Sequence, residues 1–139
     1  MELPYVEFEG QTAPVYRPCV PVTFSFEGRR FPVGHALVDT GSDFTLLPRE
    51  VAHILQVELD DTKGVKLGSA GGGSFLALPS RKKIRHTIER NGYRPIRWDG
   101  IVYFAAEEPV VLLGHYQCLE YFEITFRGPE KRMSILPCS

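Results

Sequence analysis

The stretch Ala36-Leu37-Val38-Asp39-Thr40-Gly41-Ser42 limits what this chain can become more than any other: an apolar run ends in an acid, and the acid opens a tight turn. A carboxylate at the end of a buried strand is costly unless something solvates it. Gly41 permits an unusual backbone angle and a close approach of main chain. The Ser42 hydroxyl, three residues on, is expected to donate a hydrogen bond to the acid. A strand ending in an Asx turn accounts for the same residues with no chemistry at all. The four residues alone therefore do not establish a site.

The pattern on either side reads as strands. Tyr5 to Glu9 alternates briefly, and Pro14, Pro18 and Pro21 then argue against a central strand, so residues 1–19 are expected to form an N-terminal arm or edge strand. Val22, Phe24 and Phe26 alternate with polar residues, Gly28 turns the chain, and Phe31 to Asp39 returns, which predicts a hairpin ending at the acid. Phe44 to Leu47 is apolar and extended. Pro48 suits the start of a helix, and Val51, Ile54 and Leu55 recur at helical spacing, predicting a short helix over about Pro48 to Leu55. Asp60 and Asp61 mark a turn.

Lys63 to Leu78 reads as a hairpin whose middle is interrupted by Gly68, Gly71, Gly72 and Gly73, the composition of a mobile tip or a close backbone approach. It lacks the Gly-Lys-Ser/Thr ending and the strand-to-helix context of a phosphate loop. Ile84, His86 and Ile88 alternate, and Asn91-Gly92 turns them back. Ile101 to Ala105 is expected to be a strand. The run Val110-Val111-Leu112-Leu113, within Pro109 to Gly114, looks like a strand buried on both faces. A short helix over His115 to Tyr121 is expected next. Phe122, Ile124 and Phe126, then Met133, Ile135 and Leu136 beyond the Gly128-Pro129 turn, supply the last two strands. The expected class is all-β with one or two short helices, as a single domain over residues 1–139.

Composition narrows the function classes. At 139 residues and 15.7 kDa, the chain is large enough to bury roughly 68% of its unfolded surface, so no disulfide or metal staple is required. Lys plus Arg number 16 against 17 Asp plus Glu, a balance that advertises neither nucleic acid nor an acidic membrane as partner. Arg81, Lys82, Lys83 and Arg85 cluster, but with Ile84 and Ile88 interleaved they read as the solvent face of a strand. Cys19, Cys118 and Cys138 are an odd, widely spaced set, which points to a reducing compartment, with cytoplasm expected. Residues Met1 to Gly10 lack a basic leader with an apolar core. His115 and Cys118 share one possible helix face, too few ligands for zinc. No metal or cofactor is assigned.

Two separated signals carry a family resemblance. Leu37-Val38-Asp39-Thr40-Gly41-Ser42 resembles the active-site motif of aspartic proteases. Val111-Leu112-Leu113-Gly114, followed by a short helix and Phe122-Glu123-Ile124, resembles the second hallmark of the retroviral-type, retropepsin-like members. The glycine cluster Gly68 to Gly73 lies between them, where that family places its flap. The order and spacing match over Val20 to Leu136, in a single-motif form of the cellular or bacterial kind.

The resemblance implies a half-barrel that pairs about a two-fold axis, because the chain holds one Asp-Thr-Gly and such enzymes need two acids sharing a proton. It implies Asp39 as the catalytic acid and peptide or protein as substrate. Thr40 would reach across the axis to the partner's loop, and Gly41 would let the loop approach water and substrate. Ser42 stands where some members have alanine, and a hydroxyl donated to the acid would lower its pKa. Asp43 would help hold substrate main chain, with Gly71, Gly72 and Gly73 as the closing flap tip. His115 departs from the pattern: an arginine usually follows the Leu-Gly pair and braces the position matched by Asp43 with a fork that histidine cannot reproduce. The ends of the chain also differ from the interleaved terminal strands of the viral enzymes. The alternatives are a catalytically silent peptide-binding module of the same fold, or one subunit of a heterodimeric protease.

Overall fold

Two long strands form the spine of the molecule. In the computed structural model, which describes residues 1–68, 71–106 and 110–138, β4 (Cys19–Phe26) and β5 (Arg29–Val38) make an antiparallel hairpin. The turn between them places Glu27 at φ 47° and Gly28 at φ 84°, the primed geometry that matches strand twist. Before them come β1 (Glu2–Pro4), β2 (Val6–Phe8) and β3 (Val15–Arg17). Pro21 lies inside β4 after all. It sits where the ladder to β5 shifts register, between Val20 and Val22, and a bulge is where a residue with no N–H can be accommodated.

After β5 come β6 (Leu46–Pro48), α1 (Arg49–Leu55), a 3₁₀ turn at Asp61–Lys63, β7 (Val65–Gly68) and β8 (Ser74–Pro79). Helix α1 begins directly after Pro48, buries Val51, Ala52 and Leu55, and stops at Gln56 in the left-handed region (φ 53°). Then follow β9 (Ile84–Ile88), β10 (Ile96–Gly100), β11 (Tyr103–Ala105), β12 (Leu112–Leu113), a 3₁₀ turn at Leu119–Tyr121, β13 (Phe122–Arg127) and β14 (Arg132–Pro137).

Nine strands form one curled sheet in the order β10-β9-β4-β5-β12-β6-β11-β8-β7. The expected all-β half-barrel with little helix is what the chain adopts. A second sheet, β1-β14-β13, joins the two ends of the chain, with Leu3 opposite Met133. The first strand is an edge strand of this sheet, and among the described residues β2 and β3 pair with each other alone. One continuous core, built on Val22, Phe24, Leu47, Leu55, Phe104 and Met133 among others, lies within the curl. A smaller cluster of Leu46, Ala77 and Ala105 is covered by Val65, Leu67, Phe75, Tyr103 and Leu112.

The hairpin expected around Asn91-Gly92 forms, with its return strand at Ile96–Gly100, which pairs with β9 from Ile96 opposite Ile88 to Gly100 opposite Ile84. Three expectations need correction. Ile101 to Ala105 is strand only from Tyr103. The helix expected over His115 to Tyr121 is reduced to its last three residues, because Gln117 takes φ 52° and interrupts regular helical bonding. The run before Gly114 is also less buried than expected: Val110 is exposed, Leu112 half-buried, and only Val111 and Leu113 are buried. Pro109, like Ser69 and Ala70 of the glycine-rich stretch, lies outside the described residues.

Candidate active site

The topology itself brings Asp39 and Gly114 together. β12 runs parallel to β5, with Leu112 opposite Leu37 and Leu113 opposite Val38, so the two chains leave the sheet at the same end. The Asp39 amide donates to the Leu113 carbonyl (3.0 Å) and the Leu37 amide to the Val111 carbonyl (2.9 Å). Past these bonds each chain must turn. Leu46 returns antiparallel to Leu112, which confines residues 39–45 and 114–116 to one compact knot.

The first turn is closed by the Ser42 amide donating to the Asp39 carbonyl at 3.1 Å. Thr40 and Gly41 are its central residues, and Gly41 is not among the residues with positive φ, which is the type I arrangement. The Gly41 amide donates to Asp39 Oδ1 at 2.9 Å. Asp39 is half-buried, Thr40 and Gly41 are exposed, and the Thr40 hydroxyl has no hydrogen-bond partner among the described residues. A Cβ on Gly41 would lie 3.3 Å from Asp39 Oδ1, so glycine lets the turn fold closely over its own acid.

The second turn clamps the first. The His115 amide donates to the Ser42 carbonyl (3.0 Å) and the Tyr116 amide to the Asp43 carbonyl (2.8 Å). The Gly114 amide donates to Thr45 Oγ1 at 3.2 Å, and Thr45 is itself only 1% exposed. Gly114 is obligatory here: a Cβ would collide with the Phe44 main chain, lying 2.7 Å from its nitrogen and closer still to its carbonyl. Phe44 is flanked by Tyr103, at 4.3 Å between ring centroids, and Tyr116, at 6.1 Å.

One expected role changes. The Ser42 hydroxyl does not donate to the Asp39 carboxylate; it donates to the Phe44 carbonyl at 2.7 Å. The turn uses its own main chain to reach the acid, which leaves the hydroxyl to the carbonyl two residues on. His115, expected not to reproduce a fork on Asp43, bonds elsewhere. Its Nε2 lies 2.7 Å from the Thr40 carbonyl, and because a carbonyl only accepts, Nε2 carries the proton.

Asp39, Thr40, Gly41, Ser42 and Asp43 are therefore gathered in one turn. Gly71, Gly72 and Gly73 belong to another element, the tip of the β7–β8 hairpin, with Gly72 at φ 86°. β12, β6 and β11 separate that hairpin from β5 in the sheet. Sequence reasoning missed Thr45 and the packing role of Gly114. The signal for Thr45 was a lone hydroxyl inside Phe44-Thr45-Leu46-Leu47. Among the described residues no three of His, Cys, Asp and Glu are grouped as a metal would need, and no helix is long and apolar enough to cross a membrane. A cavity of about 640 Å³ opens beside Arg94, Trp98 and Tyr121, but no residue of the Asp39 turn lines it.

No protein-family model matches the chain, and no curated protein matches it either. Among solved structures it is similar to EIAV protease complexed with the inhibitor HBY-793, at 24% identity over 71% of this chain and 82% of that one, with a TM-score of 0.45. That likeness is too slight to carry chemistry, which rests below on the Asp39 turn.

Proposed function

We propose that the chain is one subunit of a homodimeric aspartic endopeptidase, with residues 1–139 acting as a single domain. The observation that carries this reading is the Asp39 turn: a half-buried carboxylate at the end of a core strand, with one oxygen held by the Gly41 amide and its loop pinned by the 114–116 segment. A surface Asx turn has no need of that clamp. One carboxylate is half a site, and Thr40 beside it presents an uncommitted hydroxyl on an exposed face, where a second copy would supply both a partner for that hydroxyl and the second acid.

Two Asp39 carboxylates about 3 Å apart cannot both ionise cheaply, so the pair shares one proton. The ionised member takes a proton from a water, which attacks the scissile carbonyl. The protonated member polarises that carbonyl and then helps protonate the leaving nitrogen. The bond broken is the peptide C–N, and water supplies the new hydroxyl on the carbonyl carbon and the one proton gained by the leaving nitrogen. Asp43 is assigned to substrate main chain and Gly71 to Gly73 to a flap, the roles that the resemblance to the retropepsin-like proteases implies. The substrate is an extended peptide or protein segment.

A mixed peptide pool incubated from about pH 3 to 7, the range over which a shared carboxylate proton is lost, tests this. Cleavage by the wild type and none by Asp39→Asn is the expected result. Equal product patterns from the two proteins would overturn the reading.

A further inference from the structure

One peptide group links His115 to the candidate catalytic acid. Thr40 C=O and Gly41 N–H belong to the same planar unit and point in opposite directions. The carbonyl accepts from His115 Nε2 at 2.7 Å, and the N–H donates to Asp39 Oδ1 at 2.9 Å. His115 and Asp39 thus grip opposite edges of a single peptide plane.

That plane has an alternative. Thr40 and Gly41 are the central pair of the turn closed from Ser42 to Asp39. Rotating their shared peptide converts type I to type II, and type II requires positive φ at the second central residue, where glycine is the preferred residue. Gly41 does not adopt positive φ, although nothing about glycine forbids it. In the rotated form the Gly41 N–H would leave Asp39, and the Thr40 carbonyl would turn its oxygen toward the carboxylate. The local sequence permits both forms; the Gly41 bond to Asp39 favours the present one from inside the turn, and a donor on the Thr40 carbonyl holds it from outside. The His115 imidazole is the side chain placed to do so, and its own backbone is fixed by the His115 amide to Ser42 carbonyl bond.

We infer that His115 is a positioning residue that locks the Thr40–Gly41 peptide so that its N–H stays on Asp39. Hydrogen bonds in series through one peptide polarise each other, so the donor on Thr40 also strengthens the Gly41 bond to the acid. The lock needs an Nε2–H and no charge: neutral imidazole in that tautomer and imidazolium both supply one. A neutral donor of the same reach should therefore substitute for it.

The inference about the peptide stands on geometry alone, while its catalytic consequence rests on the proposed protease function. The test is NMR of the intact protein in wild-type, His115→Ala and His115→Gln forms, followed by kinetics. In the wild type, ¹⁵N shifts at pH 8 should place the neutral imidazole proton on Nε2; a proton on Nδ1 alone overturns the inference with no variant needed. His115→Ala should move the Gly41 amide proton upfield, and His115→Gln should return it toward the wild-type position. An unmoved Gly41 resonance in His115→Ala overturns it, as does a glutamine variant displaced as far as the alanine one. With a cleaved peptide in hand, His115→Ala should lower kcat about tenfold with KM little changed, the size of one charge-assisted bond, and glutamine should restore most of it. A wild type that cleaves nothing defeats the protease reading and leaves the NMR result to decide the lock.

Discussion

Acidification should weaken this fold well before its carboxylates are protonated, and His86 is the reason. Its side chain is fully buried, stacked on Trp98 at 4.8 Å and edge-on to Phe24 at 4.9 Å. Nδ1 donates to the Ile84 carbonyl at 2.9 Å, while Nε2 is buried with no hydrogen-bond partner among the described residues. Protonation would have to place a second N–H there without an acceptor. Burial accordingly lowers the pKa from 6.5 to about 4, against smaller opposing effects of the Ile84 bond and the Asp99 carboxylate. Asp99, held below its usual range by its bond to Arg85, stays ionised through this window.

The unfolded chain thus binds a proton near pH 6.5 that the folded chain refuses until near pH 4. Stability is complete above pH 6.5 and falls as pH drops between the two values, by about 2 kcal/mol at pH 5 and about 3 kcal/mol at pH 4. With a urea m-value of about 2 kcal/mol/M, the midpoint should fall by about 1 M from pH 7 to pH 5, at fixed protein concentration because association also stabilises. His86→Phe keeps an aromatic side chain between Phe24 and Trp98 and removes the titration, so its midpoint should hold over the same range. Equal slopes for the two proteins would refute the reasoning. For the proposed function this predicts a subunit that is more stable at neutral pH than at pH 5.

Gly114→Ala should cost about 3 kcal/mol or more, an overpacking penalty against main chain that cannot rotate away, plus strain on the bonds from residues 114–116 to the Asp39 loop; a loss of under about 1 kcal/mol in urea melts would show that the two turns are not locked together. Ser42→Ala should lower stability by about 1 kcal/mol through its bond to the Phe44 carbonyl and leave the acidic limb of any pH–rate profile in place, whereas a displaced limb would mean the hydroxyl does reach Asp39. A thiol reagent should modify exposed Cys138 quickly in the native protein and reach Cys19 and Cys118 only on unfolding, since both are buried and burial pushes the Cys118 thiol up to about 12; mass spectrometry of the native reaction would settle the order, and early labelling of Cys118 would contradict it.

What the sequence made legible was local. The alternation of Val22, Phe24 and Phe26, the Gly28 turn and the acid after Leu37-Val38 each depend on neighbours a few residues away, and each appears where expected. The insertion of Leu112–Leu113 between β5 and β6 was hidden, because parallel pairing across more than seventy residues leaves no local period. The Asn91-Gly92 turn announced the hairpin but not the bounds of its return strand, where Arg97 and Asp99 are exposed between Ile96, Trp98 and Gly100. Within the site, residue types were readable and partners were not. The Ser42 hydroxyl was readable as a donor near the acid, but its acceptor, the Phe44 carbonyl, is set by how the turn continues. His115 was visible as a departure from a pattern, but its bond to Thr40 depends on how two loops meet.

The central claim, that each active site takes one Asp39 from each of two subunits, is tested most directly by subunit mixing. Wild-type and Asp39→Asn chains are unfolded together, refolded at constant total concentration, and assayed on a cleaved peptide as the mutant fraction rises, with solution mass recorded against the 15.7 kDa subunit. If both acids are needed and the chains pair at random, activity follows the square of the wild-type fraction, so an equal mixture retains about one quarter of the all-wild-type rate. An equal mixture that retains about one half, with wild-type chains working regardless of their partners, would contradict the shared site.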